Sequence, residues 1–176
     1  MNFKEITISQ KYIHKGKIIN LRVDEVELPS GRKSSREIVE HNGGVGIVAI
    51  NEKKEIILVK QFRKPFEEVL IEIPAGKLEK GEEPIKCAVR ELEEETGKKA
   101  LSLKLMNILY TSPGFSNEKL YIYLCTEMED GKVNPDEDEN LEIMYVKYED
   151  ALNMIYNGEI KDAKTISGIL AAKKFI

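Results

Sequence analysis

Between Gly76 and Gly97 the chain carries the signals of a loop that runs into one amphipathic helix, and this segment limits the fold more than any other. Pro84 suits a first helical turn, where its missing N–H would have no intrahelical partner. Glu82 and Glu83 suit the positive end of a helix, and Gly97, Lys98 and Lys99 suit its capped, negative end. The spacing predicts a helix over 83–96. At about 100° per residue, Ile85, Ala88, Val89, Leu92 and Thr96 share one stripe. Glu91 and Glu95 stack near the edge of that stripe, and Glu94 sits further round.

Strand signals flank the helix. Residues 45–50 and 55–61 are rich in β-branched side chains and read as a hairpin across Asn51-Glu52-Lys53-Lys54. Residues 69–73, 101–110, 120–126 and 142–147 read as further strands, and the acidic stretch 128–140 as an exposed loop. Residues 148–156 and 162–175 have helical spacing, the second with a stripe of Ala163, Ile166, Ile169, Leu170 and Ala171. The order strands, helix, strands, helices predicts an α+β fold, a mixed sheet covered by helices. Ahead of it, Leu21, Val23, Val26 and Leu28, the turn Pro29-Ser30-Gly31 and residues 36–40 make an antiparallel β-hairpin. Two strands bury too little to stand alone, so this hairpin packs on the main domain or on another subunit. Residues 1–41 are therefore read as an N-terminal β extension and 42–176 as the main domain.

Charge and composition exclude several classes. With 27 basic and 31 acidic residues, the net charge of −4 gives no reason to expect general nucleic-acid binding, which wants a basic face, though it leaves room for a single nucleotide held by a few arginines and a metal. No apolar run approaches the roughly 18 residues of a spanning helix. The start, MNFKEITISQ, has charges where a signal peptide needs apolar residues, so the expected location is cytoplasmic. Cys87 and Cys125 lack the partners of a metal site and read as small core residues, and neither His14 nor His41 reads as a ligand.

Like charges on adjacent helical turns cost an isolated helix roughly 0.2–0.5 kcal/mol per pair. A divalent ion turns that repulsion into coordination, and Mg²⁺ takes such oxygen ligands together with substrate phosphates. Composition alone favours a merely solvated acidic face; the glycines and Arg90 at fixed spacing change that judgement.

Gly76, Glu82, Arg90-Glu91-Leu92, Glu94-Glu95 and Gly97 together resemble the Nudix box, departing only at Lys98, where the family usually has an apolar residue. Gln61-Phe62-Arg63, residues 72–76 and Ser112-Pro113-Gly114-Phe115 resemble the ADP-ribose pyrophosphatase branch, whose proline follows the box by about this interval, 113 − 98 = 15 residues. The likeness extends to the N-terminal hairpin and to Asp162-Ala163-Lys164-Thr165. It implies a Nudix-type α/β/α sandwich and Mg²⁺-dependent hydrolysis of ADP-ribose to AMP and ribose 5-phosphate, with Mn²⁺ as a substitute. Metal ligands implied are Glu91, Glu95, the Ala75 carbonyl, Glu94 as ligand or support, and Glu139. Arg90 would orient the carboxylates, Glu82 would hold the loop–helix–loop together or touch a metal through water, and Glu137 would be the general base. Arg63 is expected on a phosphate, with Arg36, Glu72, Ser112, Pro113 and Gly114 as further substrate contacts. The branch implies a homodimer that exchanges N-terminal strands, with adenine toward the hairpin and the terminal ribose toward the Pro113 loop. Two rivals remain: another nucleotide substrate, such as a nucleoside triphosphate, a dinucleotide or a different nucleoside diphosphate sugar, and a non-catalytic nucleotide sensor of the same fold. The retained glutamates argue against the sensor.

Overall fold

The structure, a computed structural model, describes residues 2–134 and 140–175. Glu137 and Glu139 lie outside the described residues. The chain divides into two units, residues 1–43 with 110–119, and residues 44–109 with 120–176.

The first unit holds three antiparallel strands, β1 (Ile6–Lys15), β2 (Ile19–Glu27) and β3 (Lys33–His41), side by side in that order. Strands β2 and β3 are the expected hairpin, with Val23 opposite Glu37. Its turn closes where the Gly31 N–H donates to the Leu28 carbonyl at 2.8 Å and the Leu28 N–H donates to the Arg32 carbonyl at 2.8 Å. Strand β1 was not expected. All ten of its residues are exposed, so Ile6, Ile8 and Ile13 define no core face, and its register on β2 slips twice. The 110–119 segment joins this unit through β3. The Val39 N–H donates to the Phe115 carbonyl at 2.7 Å, and the Asn117 N–H donates back to the Val39 carbonyl at 3.2 Å.

The second unit contains β4 (Gly44–Ile50), β5 (Glu55–Arg63), β6 (Glu68–Glu72), β7 (Ala75–Lys77), α1 (Pro84–Thr96), β8 (Lys98–Tyr110), β9 (Lys119–Asp130), β10 (Leu141–Lys147), α2 (Tyr148–Tyr156) and α3 (Ala163–Ala172). Its sheet runs β10-β5-β4-β9-β8, with β6 on β5 and β7 on β4. Strand β4 is parallel to β9 and antiparallel to β5 and β7, so the sheet is mixed.

Every residue of β4 is buried. Because strand side chains alternate between faces, its residues serve two cores. Val45, Ile47 and Ala49 pack with Cys87, Ala88 and Leu92 of α1. Val48 and Ile50 pack with Ala151 and Leu152 of α2 and Ile169 of α3. A sheet covered on both faces explains why its central strand reads as an unbroken apolar run. The architecture is the expected α+β sandwich.

Three local expectations are corrected. The stretch 128–140 is not all loop, because β9 continues to Asp130, where Lys98 and Lys99 of β8 pair with Asp130 and Glu129. The acidic run thus has basic partners across the strand. On α1, Ile85 is exposed, whereas Cys87, Glu91 and Glu95 are buried, so the inward face is turned toward the glutamates. On α3, Leu170 is exposed and Thr165, Gly168, Ile169 and Ala172 form the buried stripe. Among the described residues no helix is long and apolar enough to cross a membrane.

Ile169 is fully buried in the core beneath α3. Ile169→Ala should lower unfolding stability by about 2–5 kcal/mol through lost burial and a residual cavity. Denaturant titration measures this directly, and a loss below about 1 kcal/mol would mean that α3 is not packed against the sheet as described.

Candidate active site

Strand β7 and helix α1 bring the carboxylates together. A Cβ placed on Gly76 would lie 1.8 Å from Cδ of Glu91, so glycine leaves the space in which that carboxylate rests against the strand. One residue earlier, the Ala75 N–H donates to Oε2 of Glu95 at 3.0 Å. Glu91 is 9 % and Glu95 3 % exposed, although both are charged residues on a helix.

Arg90 holds this arrangement. Its Nη1 donates to Oε1 of Glu91 at 2.8 Å and to Oε2 of Glu94 at 2.9 Å. Its Nε and Nη2 donate to the two oxygens of Glu82 at 3.2 and 3.3 Å. Glu82 in turn accepts the Glu79 N–H at 2.9 Å, which ties the preceding loop to the helix. Burial works against the charge on Arg90, but hydrogen bonds from Glu82, Glu94 and Glu91 and the nearby Glu91 charge outweigh it and raise its pKa. Burial likewise opposes ionisation of Glu82, and the Arg90 hydrogen bond and the Glu79 N–H bring its carboxyl below the usual value. The Cys87 thiol, at 3.4 Å from Nη2 of Arg90, is pushed up to about 12, first by burial and then by the Glu91 and Glu82 charges. It stays a neutral core thiol, as expected. Helix α1 ends at Gly97, whose φ of 66° lies in the left-handed region that glycine tolerates.

A second polar group lies at the end of β5. Arg63 donates from Nε and Nη2 to the two oxygens of Glu72 at 2.6 and 2.7 Å. Glu72 is 1 % exposed and also accepts from Nζ of Lys164. Lys164 donates in turn to Oδ2 of Asp162 at 3.0 Å. Asp162 caps α3 by accepting the Thr165 N–H at 2.9 Å, and the Thr165 hydroxyl accepts the Ile73 N–H at 2.9 Å. Hydrogen bonding to Glu72 raises the Arg63 pKa against the opposing effect of burial, and the charge of Glu95 adds to it, so this group and the α1 carboxylates share one electrostatic neighbourhood. For Glu72, burial alone would raise the pKa; Arg63 and Lys164 together hold it below the ordinary value.

The second unit therefore gathers Arg63, Glu72, Ala75, Glu82, Arg90, Glu91, Glu94 and Glu95. Glu72, expected on the substrate, has its oxygens occupied by Arg63 and Lys164. Arg36 lies in the first unit, where its Nε and Nη2 engage the Glu5 carboxylate at 2.9 and 2.5 Å. Ser112, Pro113 and Gly114 form a turn of the same unit, closed by the Phe115 and Ser116 N–H groups on the Ser112 carbonyl at 3.0 and 2.8 Å. Beside that turn is a pocket of about 280 Å³ lined by Ile18, Ile19, Val39, His41, Ser112 and Phe115, among others. His41 contacts Glu118 at 3.2 Å and accepts the Gly43 N–H on the same ring nitrogen, Nδ1. Lys164 was missed as a site residue. The signal was present in Asp162-x-x-Thr165, a helix-capping pattern that places Lys164 in the first turn.

The profile of the NUDIX domain matches residues 40–167, and that of the nucleoside diphosphate sugar hydrolase N-terminal domain matches residues 5–39. The chain belongs to the Nudix family. The ADP-ribose pyrophosphatase of Bacillus subtilis (strain 168) is 49 % identical to it over 170 residues, covering 96 % of this chain and 92 % of that protein. The methanol dehydrogenase activator of Bacillus methanolicus is 41 % identical, covering 95 % and 91 %. The crystal structure of an ADP compounds hydrolase superposes with a TM-score of 0.87 over 99 % of this chain and 96 % of that one; at 18 % identity it shows the shared fold alone.

Nudix hydrolases generally use a divalent metal, and the clustered carboxylates here are the kind of oxygen donor that a hard ion takes. Among the described residues no group of three or more His, Cys, Asp or Glu side chains is arranged as a closed metal site.

Two outcomes follow from this geometry. Gly76→Ala should displace the Glu91 carboxylate and reduce catalytic turnover by about 10² or more, the scale set by a misplacement of about 1 Å. Circular dichroism should show the fold retained, and turnover within a few-fold of the parent would contradict the close approach. Glu72 supplies the second. Its carboxyl binds a proton less readily in the folded chain than in the unfolded one, where the ordinary value is 4.5. The stability it contributes is complete above that value and drains away as pH falls through the lower folded value. Glu72→Gln should therefore cost stability at neutral pH and flatten the acid limb of a stability–pH curve below about pH 5. An unchanged acid limb would mean that Glu72 does not carry this linkage.

Proposed function

We propose that this chain hydrolyses the pyrophosphate bond of ADP-ribose, yielding AMP and ribose 5-phosphate, with Mg²⁺ as the preferred ion and Mn²⁺ as a substitute. The observation that carries this reading is the 49 % identity to an ADP-ribose pyrophosphatase, which runs through both units and not only the box. The match of residues 5–39 to a nucleoside diphosphate sugar hydrolase domain supports the same substrate class over triphosphates.

Glu91, Glu95 and the Ala75 carbonyl are the groups that would hold the ion, with Glu94 beside them. When bound, the ion supplies charge neutralisation on the phosphate oxygens and an activated water. The rest is done by the chain itself. Arg90 orients Glu91 and Glu94 and balances their charge. Arg63 uses Nε and Nη2 on Glu72, which leaves Nη1 directed away from that pair and suited to a phosphate oxygen. Glu137 is proposed as general base and Glu139 as an additional ligand. Arg36, Ser112, Pro113 and Gly114 are proposed as substrate contacts made by the first unit.

Residues 1–41 are proposed as a dimerisation and substrate-pocket extension, and 42–176 as the hydrolase domain. Phe3, Ile6, Ile8 and Ile13 are exposed on or before β1, more apolar area than an isolated edge strand normally presents to water. A homodimer that exchanges N-terminal strands would cover it. Two free, buried cysteines accord with a cytoplasmic location.

The test compares kcat/KM for ADP-ribose, ADP-glucose, GDP-mannose, diadenosine polyphosphates and nucleoside triphosphates at one Mg²⁺ concentration, with products identified. ADP-ribose should lead. Triphosphates ahead of every sugar nucleotide would defeat the substrate assignment. In the same assay Glu95→Gln should reduce turnover by roughly 10² or more, because an ion at this site contributes several kcal/mol to the transition state. Near-normal turnover at saturating Mg²⁺ would remove Glu95 from the ligand set.

A further inference from the structure

We propose that Lys164, at the start of α3, is a positioning residue for Arg63: through the shared carboxylate of Glu72 it sets the direction in which Arg63 meets the substrate diphosphate. The inference rests on the reading of Arg63 as a phosphate contact and assigns a role to a residue outside the Nudix box.

The geometry begins with a long reach. On the β5–β6 ladder Arg63 lies opposite Glu68, whereas Glu72 lies opposite Val59. Four residues of strand, about 13 Å, separate the two registers, so the Arg63 and Glu72 side chains must lean toward each other along the sheet to meet. A flexible side chain held over that distance is only as well placed as its anchor. Glu72 is buried, but a carboxylate gripped from one side alone can still turn about its last torsion, which is broad. Lys164 supplies the second grip. Its ammonium donates to Oε2 of Glu72, the same oxygen that accepts from Nη2 of Arg63. Asp162 stands behind Lys164 at 3.0 Å and is itself fixed by the N–H and hydroxyl of Thr165. Two cations and two carboxylates alternate along the row Arg63, Glu72, Lys164, Asp162, so no member is left buried with an unopposed charge.

The burial of each member separates their roles. The Lys164 side chain is 11 % exposed and spends its ammonium on Glu72 and Asp162, whereas the Arg63 side chain is 37 % exposed. Arg63 is the member open to a ligand; Lys164 is the member that orients it.

Steady-state kinetics on ADP-ribose at saturating Mg²⁺, with Lys164→Met, Arg63→Ala and the double variant of the full chain, tests this. Methionine keeps the apolar stem and removes the ammonium. Lys164→Met should raise KM about tenfold, the scale of one charge-assisted hydrogen bond, with kcat within about twofold. In the Arg63→Ala background the same change should add less than about twofold, because the residue through which it acts is gone. Binding of ADP-ribose to the metal-free protein, followed by calorimetry, should weaken in the same order. Ile169→Ala, which loosens the packing of α3 without touching any member of the row from Arg63 to Asp162, should lower thermal stability yet leave KM within about twofold. If Lys164→Met does not fold, Asp162→Asn stands in for it, with a smaller rise in KM that also vanishes without Arg63. An unchanged KM for the folded Lys164 or Asp162 variant, fully multiplicative effects with Arg63→Ala, or an Ile169→Ala rise as large as that of Lys164→Met overturns the proposal. If Arg63→Ala itself leaves KM unchanged, the phosphate reading of Arg63 fails, and the role of Lys164 fails with it.

Discussion

Arg90 makes the rest of the site possible. Helix α1 carries Glu91, Glu94 and Glu95 within a little more than one turn, and two of them are buried. Desolvating a carboxylate costs on the order of several kcal/mol unless a partner replaces the lost water. One guanidinium meets Glu82, Glu91 and Glu94 together, and a backbone N–H from Ala75 meets Glu95. Lysine could not do this, because the contacts use three nitrogens of a planar fork at once. The same contacts keep the carboxylates near one another, so charge is concentrated without unfolding the helix.

That cluster depends on a platform. Strand β7 must pass close enough for Glu91 to rest on Gly76 and for Ala75 to reach Glu95, and β7 is held by β4. Strand β4 is fixed by cores on both of its faces, with α1 on one side and α2 and α3 on the other. Rigid support of this kind suits a site in which small displacements are costly. The polar row from Asp162 to Arg63 ties the start of α3 to the end of β5. Its charge balance explains how so polar a group is tolerated at the margin of an apolar core.

Legibility differed from element to element. The helix at 83–96 was readable because Pro84, Gly97 and the apolar spacing agree locally, and β4 was readable because a strand buried on both faces must be apolar throughout. Strand β1 was not, since none of its residues is buried and its alternation marks no core face. The inward faces of α1 and α3 were displaced by part of a turn, because periodicity locates an apolar stripe but not the neighbour against which it packs. Ile85 and Leu170 face outward for that reason, and Glu91 and Glu95 face inward.

By itself, the sequence determined the Nudix box, its order of elements, the cluster of glutamates with Arg90, and through them the family. These depend on residues close together in the chain, whose spacing dictates which share a helical turn. Only the tertiary structure decided that Gly76 is the seat of Glu91, that Arg63 is tied to Glu72, and that Lys164 stands behind the pair. Those contacts join residues 9 to 92 positions apart, and no local rule of spacing can place them.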